Sequence, residues 1–540
     1  MAQHKPCIYI SDRAGADPVK TIILLAPEAD AATAEGVRAF ARRSGWVWQA
    51  ENDAAVLVAP VAPDGWDAES ADLPLELYQE YRRSFRAPGA DGIAGRGGNL
   101  WAWETLIYVV GYAEGARLAG DFVAAHPNVA AAVALVDGRA SSLAALDEPS
   151  DHWLVPEPAG YALRNRDVPV ALWLMGADTD GGAMRRAFCT VDGATRYGAA
   201  SLGGRDVEIY DNPQAPAQRV LVSPGLTGED PAIARLVQHD FFNHVIRWKN
   251  GPDGQLALRR SKHQFFNDGT FEHSFVEEGG NRYHYAVYLP AGMSHSEAAG
   301  LPLVLSVHGR GEPTWIFSCK NGWEDLADET QAFAVLLPDS PGNIWNGDRD
   351  IAALGAIVRQ AVEEYGFDAS RVYLSGFSNG ALFTGQAATA LPQLFAAASP
   401  WNSPGYRALE QDGLGSFAYA PAFAESGFEL PFWAVYGDSD DKAPAVREDG
   451  FDQVLAANGC APEPAEVWSA ANRYTAAAGY AQGGRLRSEV YCNEAGVPMA
   501  GYTMMKNMPH GAIADEARAA WEFMNRFRRV DGAKNVEVLA

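Results

Sequence analysis

The feature that most constrains the fold is an alternation of short apolar runs with longer segments of helical periodicity, which continues along the whole chain. An apolar run of about five to eight residues with no polar alternation is typical of a strand that is buried on both faces. Strands of this kind, separated by helices, form a parallel sheet with helices on both sides. The pattern therefore predicts an α/β fold.

The alternation occurs twice, with the same elements in the same order. The front half has predicted strands at 21–27, 54–63, 106–111, 129–138, 167–180 and 218–225. The back half has an antiparallel hairpin at 273–290 and predicted strands at 301–309, 332–340, 371–376, 394–400, 430–438 and 501–507. The front segment "VPVALWLMGADTD" also matches the back segment "LPFWAVYGDSDDK" in residue type. We interpret the pattern as an internal repeat of about 250 residues.

The two copies meet in the polar, turn-rich segment 249–270. The whole chain has 540 residues, which is more than one hydrophobic core usually supports. We therefore predict a front domain at 1–255 and a back domain at 256–540, and we expect the two to dock within one chain. Whether the chain also forms a homo-oligomer is left open.

Charge and apolar content exclude several classes of partner. Forty-three basic and 68 acidic residues give a formal net charge of −25, which repels nucleic acid and anionic membrane surfaces. No apolar stretch approaches the roughly 20 residues that cross a bilayer. The N-terminus lacks a basic and then apolar leader, so we expect a cytoplasmic protein, with secretion or a periplasmic location left open if a leader has been removed.

Cysteine usage argues against a metal-dependent fold. The chain has five cysteines, and none forms a Cys-x-x-Cys pair. That number is too small for a disulfide scaffold, and the spacing does not favour a structural zinc site. We expect no metal and no other cofactor.

The segment "GFSNG" at 376–380 has the sequence of a nucleophile elbow. It follows the apolar run "VYL" and begins the small-residue segment "NGALFTGQAATA", which is the strand, turn and helix that such an elbow requires. The flanking glycines remove side chains that would clash in so sharp a turn. Ser378 is therefore the predicted nucleophile, because its hydroxyl would be exposed to a base.

His510 is the predicted base, and an aspartate after a buried strand is the predicted acid. His510 follows an apolar strand and precedes a helix, which places it at the carboxyl edge of the sheet. Asp438, Asp440 and Asp441 follow the strand "FWAVYG", where an acid can orient an imidazole. The order serine, aspartate, histidine is that of α/β-hydrolases.

Two backbone N–H groups are predicted to bind an oxyanion. One belongs to Asn379, which follows the nucleophile, and the other belongs to Arg310 or Gly311 in the glycine-containing loop "SVHGRGEP". His308 is interpreted as a residue that holds this loop. The loops at the same sheet edge contain aromatic residues that either line a substrate pocket or pack in the core, namely Trp315, Trp345 and Trp401.

Residues 270–530 resemble the poly(3-hydroxybutyrate) depolymerase family, which includes feruloyl and acetylxylan esterases. The resemblance rests on "RYHYAVYLP", "LPLVLSVHGRG", "NGWEDLADETQAFAVLLPDS", "FDASRVYLSGFSNGALFTGQAATALPQLFAAAS", "YGDSDDKAP" and "MPHGAIADEARAAWEFMNRF". It implies an α/β-hydrolase fold and ester hydrolysis for the back domain and, together with the internal repeat, two tandem α/β-hydrolase-like domains. It assigns the acid to Asp440, with Asp438 as the second candidate. It also implies a disulfide between Cys460 and Cys492.

The front copy has lost the residues of this chemistry. Ala113 stands in the middle of its "GYAEG" turn, and its loop "LLAPEAD" has a proline where the back copy has a flexible glycine. The segment "VSPGLTGED" contains no histidine, although Asp178 and Asp180 remain. His239 and His244 are expected to pack rather than bind metal. We expect the front domain to dock and shape the entrance to the site, with ligand binding as the alternative.

The sequence therefore predicts a serine carboxylic-ester hydrolase that acts on a small-molecule or polymeric ester. Two alternatives remain open. One is a ligand-binding or scaffold protein with a vestigial esterase domain, and the other is a serine peptidase or amidase.

Overall fold

The computed structural model describes 5–14, 19–67, 70, 72–81, 85–86, 91–94, 99–100, 102–150, 163–213, 215–249, 255–403, 409–411, 415–417, 421–440, 449–469 and 486–539. Its contacts divide the chain into two compact units, and the change from one to the other falls between Arg259 and Arg260. No helix in the described ranges is both long enough and apolar enough to cross a bilayer.

The front unit contains a sheet of ten strands in the order β10-β11-β12-β9-β8-β7-β2-β3-β1-β5. The first strands of the unit, in chain order, are β1 (Cys7–Ile10), β2 (Val19–Leu25), β3 (Val56–Ala59), β4 (Phe85–Arg86), β5 (Asp91–Ala94), β6 (Asn99–Leu100) and β7 (Ala102–Tyr112). The remainder are β8 (Ala132–Val136), β9 (Ala171–Met175), β10 (Arg196–Leu202), β11 (Arg205–Asn212), β12 (Ala215–Ser223), β13 (Val245–Trp248) and β14 (Gln255–Leu258). The strands from β12 to β3 are parallel, whereas β10, β11 and β12 form an antiparallel edge.

The α-helices of the front unit connect these strands. They are α1 (Glu28–Ala31), α2 (Ala34–Arg43), α3 (Trp46–Asn52), α4 (Leu73–Tyr81), α5 (Glu114–Ala125), α6 (Ala183–Val191) and α7 (Pro231–Leu236). Each of β2, β3, β8 and β9 is buried along its whole length, as expected for strands covered on both faces.

The back unit contains a second ten-stranded sheet in the order β15-β16-β18-β17-β19-β20-β23-β26-β25-β24. The first strands of the unit, in chain order, are β15 (Glu272–Glu278), β16 (Asn281–Tyr288), β17 (Leu303–Val307), β18 (Ala334–Pro338), β19 (Val372–Phe377), β20 (Ala397–Trp401) and β21 (Leu409–Gln411). The remainder are β22 (Gly415–Phe417), β23 (Phe432–Gly437), β24 (Glu466–Ser469), β25 (Leu486–Cys492), β26 (Pro498–Met505), β27 (Phe527–Arg529) and β28 (Val536–Val538).

The α-helices of the back unit are α8 (Lys262–Asn267), α9 (His295–Ala298), α10 (Thr314–Phe317), α11 (Trp323–Thr330), α12 (Ile351–Tyr365), α13 (Asn379–Ala390), α14 (Pro421–Ser426), α15 (Asp449–Ala457) and α16 (Ala514–Met524). One core cluster joins the central strands to α12 and α13 through Leu305, Leu374, Leu354 and Phe383. This packing holds the carboxyl ends of the parallel strands on a rigid base.

The two sheets have the same strand order and the same strand directions except at one edge, where β5 is parallel to β1 but β15 is antiparallel to β16. Read from opposite ends of the two orders, β2 corresponds to β17, β7 to β19, β9 to β23 and β12 to β26. The small antiparallel pairs β13–β14 and β27–β28 also correspond, and each follows the last helix of its unit. The predicted α/β fold with mostly parallel, helix-covered sheets is confirmed.

The antiparallel edges β10–β11 and β24–β25 were not predicted from the sequence. β10 alternates between exposed and half-buried positions and contains no continuous apolar run. Such an edge strand lacks the pattern that identifies a strand buried on both faces.

Candidate active site

Ser378 lies in a strained turn between β19 and α13. Its backbone has φ 57° and ψ −117°, a region that residues other than glycine rarely adopt. A Cβ atom on Gly376 would lie 2.5 Å from the carbonyl oxygen of Gly380, and one on Gly380 would lie 2.5 Å from that of His308. Both glycines are therefore required for the turn, which places the serine at the carboxyl end of the sheet.

The predicted nucleophile, base and acid form one chain of hydrogen bonds. Ser378 Oγ lies 2.7 Å from His510 Nε2, and His510 Nδ1 lies 2.7 Å from Asp440 Oδ2. Because a carboxylate only accepts hydrogen bonds, Nδ1 carries the proton and Nε2 accepts from the serine hydroxyl. The Asp440 side chain is fully buried, whereas Asp438 is exposed, and Asp441 lies outside the described residues. The geometry therefore pairs His510 with Asp440 and not with Asp438.

Two buried polar residues, Asn402 and Glu516, link the loop that carries Asp440 to the loop that carries His510. Asn402 Nδ2 donates to Glu516 Oε1 at 2.7 Å, and Asn402 Oδ1 accepts from the N–H of Gly437 at 2.7 Å. Gly437 ends the strand before the acid loop, while Glu516 lies in α16, after the histidine loop. Glu516 Oε2 also accepts from Ile513 N–H at 3.1 Å. Sequence reasoning missed both residues, because nothing in the sequence indicates a hydrogen bond across 114 positions.

Asn379 is the first residue of α13, so its N–H has no acceptor within the helix. Its side chain fixes the neighbouring loop, because Asn379 Oδ1 accepts from Trp345 N at 2.8 Å and Nδ2 donates to Trp345 O at 3.2 Å. The start of the helix is thereby tied to the loop beside it. A helix N-terminus in this position is suited to a developing negative charge.

The peptide between Gly309 and Arg310 has a fixed orientation. Its carbonyl oxygen, on Gly309, accepts from His308 Nδ1 at 2.8 Å and from Glu312 N at 3.3 Å. In a planar trans peptide the N–H points away from the carbonyl, so the Arg310 N–H is directed to the opposite side. The N–H of Gly311, the alternative donor, is already bound to Asn343 O at 2.6 Å. The geometry therefore favours Arg310.

His308 holds this loop from within the core. It is fully buried, its Nε2 accepts from Ser340 N at 3.2 Å, and its ring lies 5.2 Å from that of Trp345. Both ring nitrogens are engaged in structural contacts. This arrangement agrees with the interpretation of His308 as a residue that supports the loop.

The structure corrects the pocket assignment of two tryptophans. Trp345 has no exposed surface, stacks on Phe383 at 4.5 Å and donates from Nε1 to His308 O. Trp401 also has no exposed surface, and it stacks on Trp323 at 5.7 Å. Side chains this enclosed pack the core and cannot touch a ligand. Trp315, which is 6% exposed in α10, keeps its assignment as a prediction.

The disulfide implied by the resemblance is absent from the structure. Cys460 and Cys492 are both free thiols. Burial raises the pKa of the Cys460 thiol to about 11, and the nearby Cys492 contributes to the same shift. The pKa of Cys492 is also raised, mainly by burial. Both groups are therefore protonated at neutral pH.

The front unit keeps the turn without its chemistry. Ala113 has φ 50° and ψ −116°, which is nearly the conformation of Ser378. A Cβ atom on Gly115 would lie 2.6 Å from Ala26 O, just as one on Gly380 would approach His308 O. The two elbows therefore correspond element by element, with alanine in place of the nucleophile.

In the front copy, backbone N–H groups of the loops that correspond to the Arg310 and His510 loops are bound to carboxylates of the same unit. Matching Ala26 to His308 puts Glu28 at the position of Arg310, and the Glu28 N–H donates to Glu114 Oε2 at 3.2 Å. Glu114 begins α5, as Asn379 begins α13. In the loop that follows β12, Gly228 donates its N–H to Asp137 Oδ2 at 2.5 Å.

The acids of the front copy bind backbone groups. Asp178 Oδ1 accepts from Gly182 N at 2.6 Å, and Asp180 Oδ2 accepts from Met184 N at 2.8 Å. His239 and His244 lie in the irregular helical turns after α7. Among the described residues, no group of three or more histidine, cysteine, aspartate or glutamate side chains is arranged to hold a metal ion.

Comparisons with known proteins found relatives that match part of the chain. No family model matches the chain. The chain is 28% identical over 208 residues to the bifunctional acetylxylan esterase/xylanase XynS20E of Neocallimastix patriciarum, covering 38% of this chain and 27% of that protein. It is 29% identical over 127 residues to poly(3-hydroxyalkanoate) depolymerase C of Paucimonas lemoignei, covering 21% and 29%.

Among solved structures, this chain is similar to an acetyl xylan esterase from Aspergillus awamori. The identity is 15%, the TM-score is 0.36, and the match covers 47% of this chain and 99% of that one. The chain spans less than a third of the length of the two curated relatives described above. The resemblance predicted from the motifs is confirmed: the chain is similar to acetylxylan esterases and to a poly(3-hydroxyalkanoate) depolymerase.

Proposed function

We propose that the protein is a serine carboxylic-ester hydrolase whose catalytic residues are Ser378, His510 and Asp440. The observation that carries the proposal is the chain of two 2.7 Å hydrogen bonds from the serine through the histidine to the buried aspartate. A serine is a weak nucleophile unless a base takes its proton, and this arrangement supplies the base and holds its tautomer.

In the proposed reaction, Ser378 Oγ attacks the ester carbonyl while His510 Nε2 takes the hydroxyl proton. The negative charge on the carbonyl oxygen is stabilised by the N–H groups of Arg310 and Asn379. His510 then gives the proton to the departing alcohol, which leaves an acyl group on the serine. Water, activated by the same histidine, releases the acid and restores the serine. Asp440 stabilises the imidazolium that forms in each half of the cycle.

We propose acyl esters as the substrate class. The relatives named above support esters of polysaccharides or hydroxyalkanoates, and feruloyl esters are a further candidate from the motif resemblance. No step of the proposed reaction requires a metal or other cofactor. Whether the natural ester is small or polymeric is the first question for the assay.

The test is a panel of esters assayed with wild type and the Ser378→Ala variant. The panel contains p-nitrophenyl acetate and butyrate, methyl ferulate, acetylated xylan and a 3-hydroxybutyrate oligomer. We expect turnover of at least one ester by wild type and a loss of at least about 10³-fold in Ser378→Ala. Residual activity within tenfold of wild type would refute the assignment.

Covalent labelling separates the esterase from the alternative classes. A fluorophosphonate should label wild type at Ser378 and leave Ser378→Ala unlabelled, as read by peptide mass spectrometry. An unlabelled wild type would favour the alternative of a vestigial esterase domain. Cleavage of anilides faster than of matched esters would favour a peptidase or amidase.

A further inference from the structure

A buried ion pair lies beside the Gly309–Arg310 loop and has no part in the reaction above. Lys320 Nζ lies 2.6 Å from Glu312 Oε1, and the two side chains are 6% and 4% exposed. Desolvating two charges opposes folding, so a buried pair is weak evidence of a contribution to stability. The contacts of the pair show what else it does.

Glu312 holds the peptide groups on both sides of Gly309. Its Oε2 accepts from the Gly309 N–H at 3.4 Å, while its own N–H donates to the Gly309 carbonyl at 3.3 Å. That carbonyl belongs to the peptide whose other end is the Arg310 N–H. The side chain and the main chain of Glu312 therefore act together on the direction of this N–H.

Lys320 also brings the ion pair into contact with the turn that contains Ser378. Its Nζ lies 4.1 Å from the centroid of the Phe377 ring, within the range of a cation–π interaction. Phe377 directly precedes Ser378, and its ring lies 5.2 Å from the ring of His510. A Cβ on Gly309 would lie 3.0 Å from Phe377 Cδ1, so loop and turn are in contact.

The front copy lacks this coupling together with the nucleophile. Pro27 stands at the position of Gly309, so no N–H is present for an acid to hold. Asp30, at the position of Glu312, instead pairs with Arg43, whose side chain is 41% exposed. The copy without a nucleophile is thus also the copy without the buried pair at this loop.

We propose that Glu312 and Lys320 are positioning residues for the oxyanion site: Glu312 orients the Arg310 N–H through Gly309, and Lys320 fixes Glu312 against Phe377. The inference rests on the proposed ester hydrolysis. It predicts that the pair contributes to kcat rather than to substrate affinity, because the N–H interaction strengthens as charge develops on the carbonyl oxygen.

The test uses two double variants of similar size and charge. Glu312→Gln/Lys320→Met keeps an acceptor for the Gly309 N–H, whereas Glu312→Leu/Lys320→Met removes it, and neither leaves a buried unpaired charge. We expect kcat to be at least about tenfold lower in the leucine variant than in the glutamine variant, with KM within about threefold. The inhibition constant of a trifluoromethyl ketone, which forms an oxyanion on the serine, should change by the same factor.

Lys20→Met/Asp53→Asn is the matched control, because it removes both charges of the ion pair that Lys20 forms with the half-buried Asp53 at 3.2 Å in the front unit. It should lower the thermal midpoint without changing kcat. Equal kcat in the two double variants, or a loss confined to the thermal midpoint, would overturn the positioning role. If wild type neither turns over an ester nor labels at Ser378, the proposed function itself fails, which is a different result.

Discussion

At the scale of single residues, the structure separates two aspartates that lie two positions apart. Asp440 is buried against His510, and Asp438 is exposed. We predict that Asp440→Asn lowers kcat/KM by on the order of 10³- to 10⁴-fold, since an amide favours the wrong imidazole tautomer. The matched control Asp438→Asn should stay within tenfold of wild type. The opposite ranking in steady-state assays would identify Asp438 as the acid.

Glu324 gives a pH dependence of stability. It is 4% exposed in α11, and burial raises its pKa to about 8. Because the unfolded carboxyl ionises near pH 4.5, the unfolded state loses its proton first as pH rises. The penalty on folding therefore begins near pH 4.5, grows up to about pH 8, and is on the order of 3 kcal/mol at pH 7.

We predict that Glu324→Gln raises the free energy of unfolding above that of wild type, and that this increase is larger at pH 7 than at pH 5. Urea unfolding of both proteins at both pH values measures it. Glu329→Gln in the same helix is the control, since that side chain is 58% exposed. An identical pH dependence in wild type and Glu324→Gln would show that the folded carboxyl is ionised at pH 7.

At the scale of elements, the two elbows share one backbone conformation but differ in the groups around it. In the front copy the Glu28 N–H is occupied by Glu114, and the corresponding loop offers Gly228 in place of a histidine. We predict that adding Ala113→Ser to Ser378→Ala restores no fluorophosphonate labelling. Labelling of the front elbow in that double variant, located by peptide mass spectrometry, would show that the turn suffices to activate a hydroxyl.

Buried strands and the nucleophile turn were predictable because each has a local signal. A run such as "ALWLM" is apolar throughout, and the elbow is a contiguous motif between a strand and a helix. The edge hairpin β10–β11 has neither signal, since its polar and apolar residues alternate without a clear period. The strand ends differ from prediction by a few residues for the same reason.

The parts of the site that could not be predicted are held by contacts between distant residues. Ser378 and His510 were identified from motif and order, and the resemblance selected Asp440. Asn402 and Glu516 become neighbours only when β20 packs against α16. The burial of Trp345 likewise depends on helix α13, which covers it with Phe383.

At the scale of the whole molecule, every residue of the proposed mechanism lies in the back unit. We propose that the domains are 1–255 and 256–540, with ester hydrolysis in the second. Residues 256–540 expressed alone should therefore retain kcat on p-nitrophenyl acetate within about tenfold, since the oxyanion donors and the base belong to one sheet. A well-folded back domain without activity would show that the front domain completes the site. Circular dichroism distinguishes that outcome from misfolding.

The strained turn at Ala113 has a consequence for how this chain evolves. A residue held in this region of φ/ψ space costs about 1 to 3 kcal/mol of folding stability. An enzyme tolerates that cost because the conformation exposes the nucleophile. In the front copy Ala113 has no hydroxyl to expose, yet it has the same conformation, and a Cβ on Gly111 or Gly115 would lie within 2.6 Å of backbone atoms. We propose that the turn at Ala113 keeps the cost in folding stability and has lost the catalytic benefit. The two copies thus form a natural comparison of one stability–activity trade-off, with and without the activity.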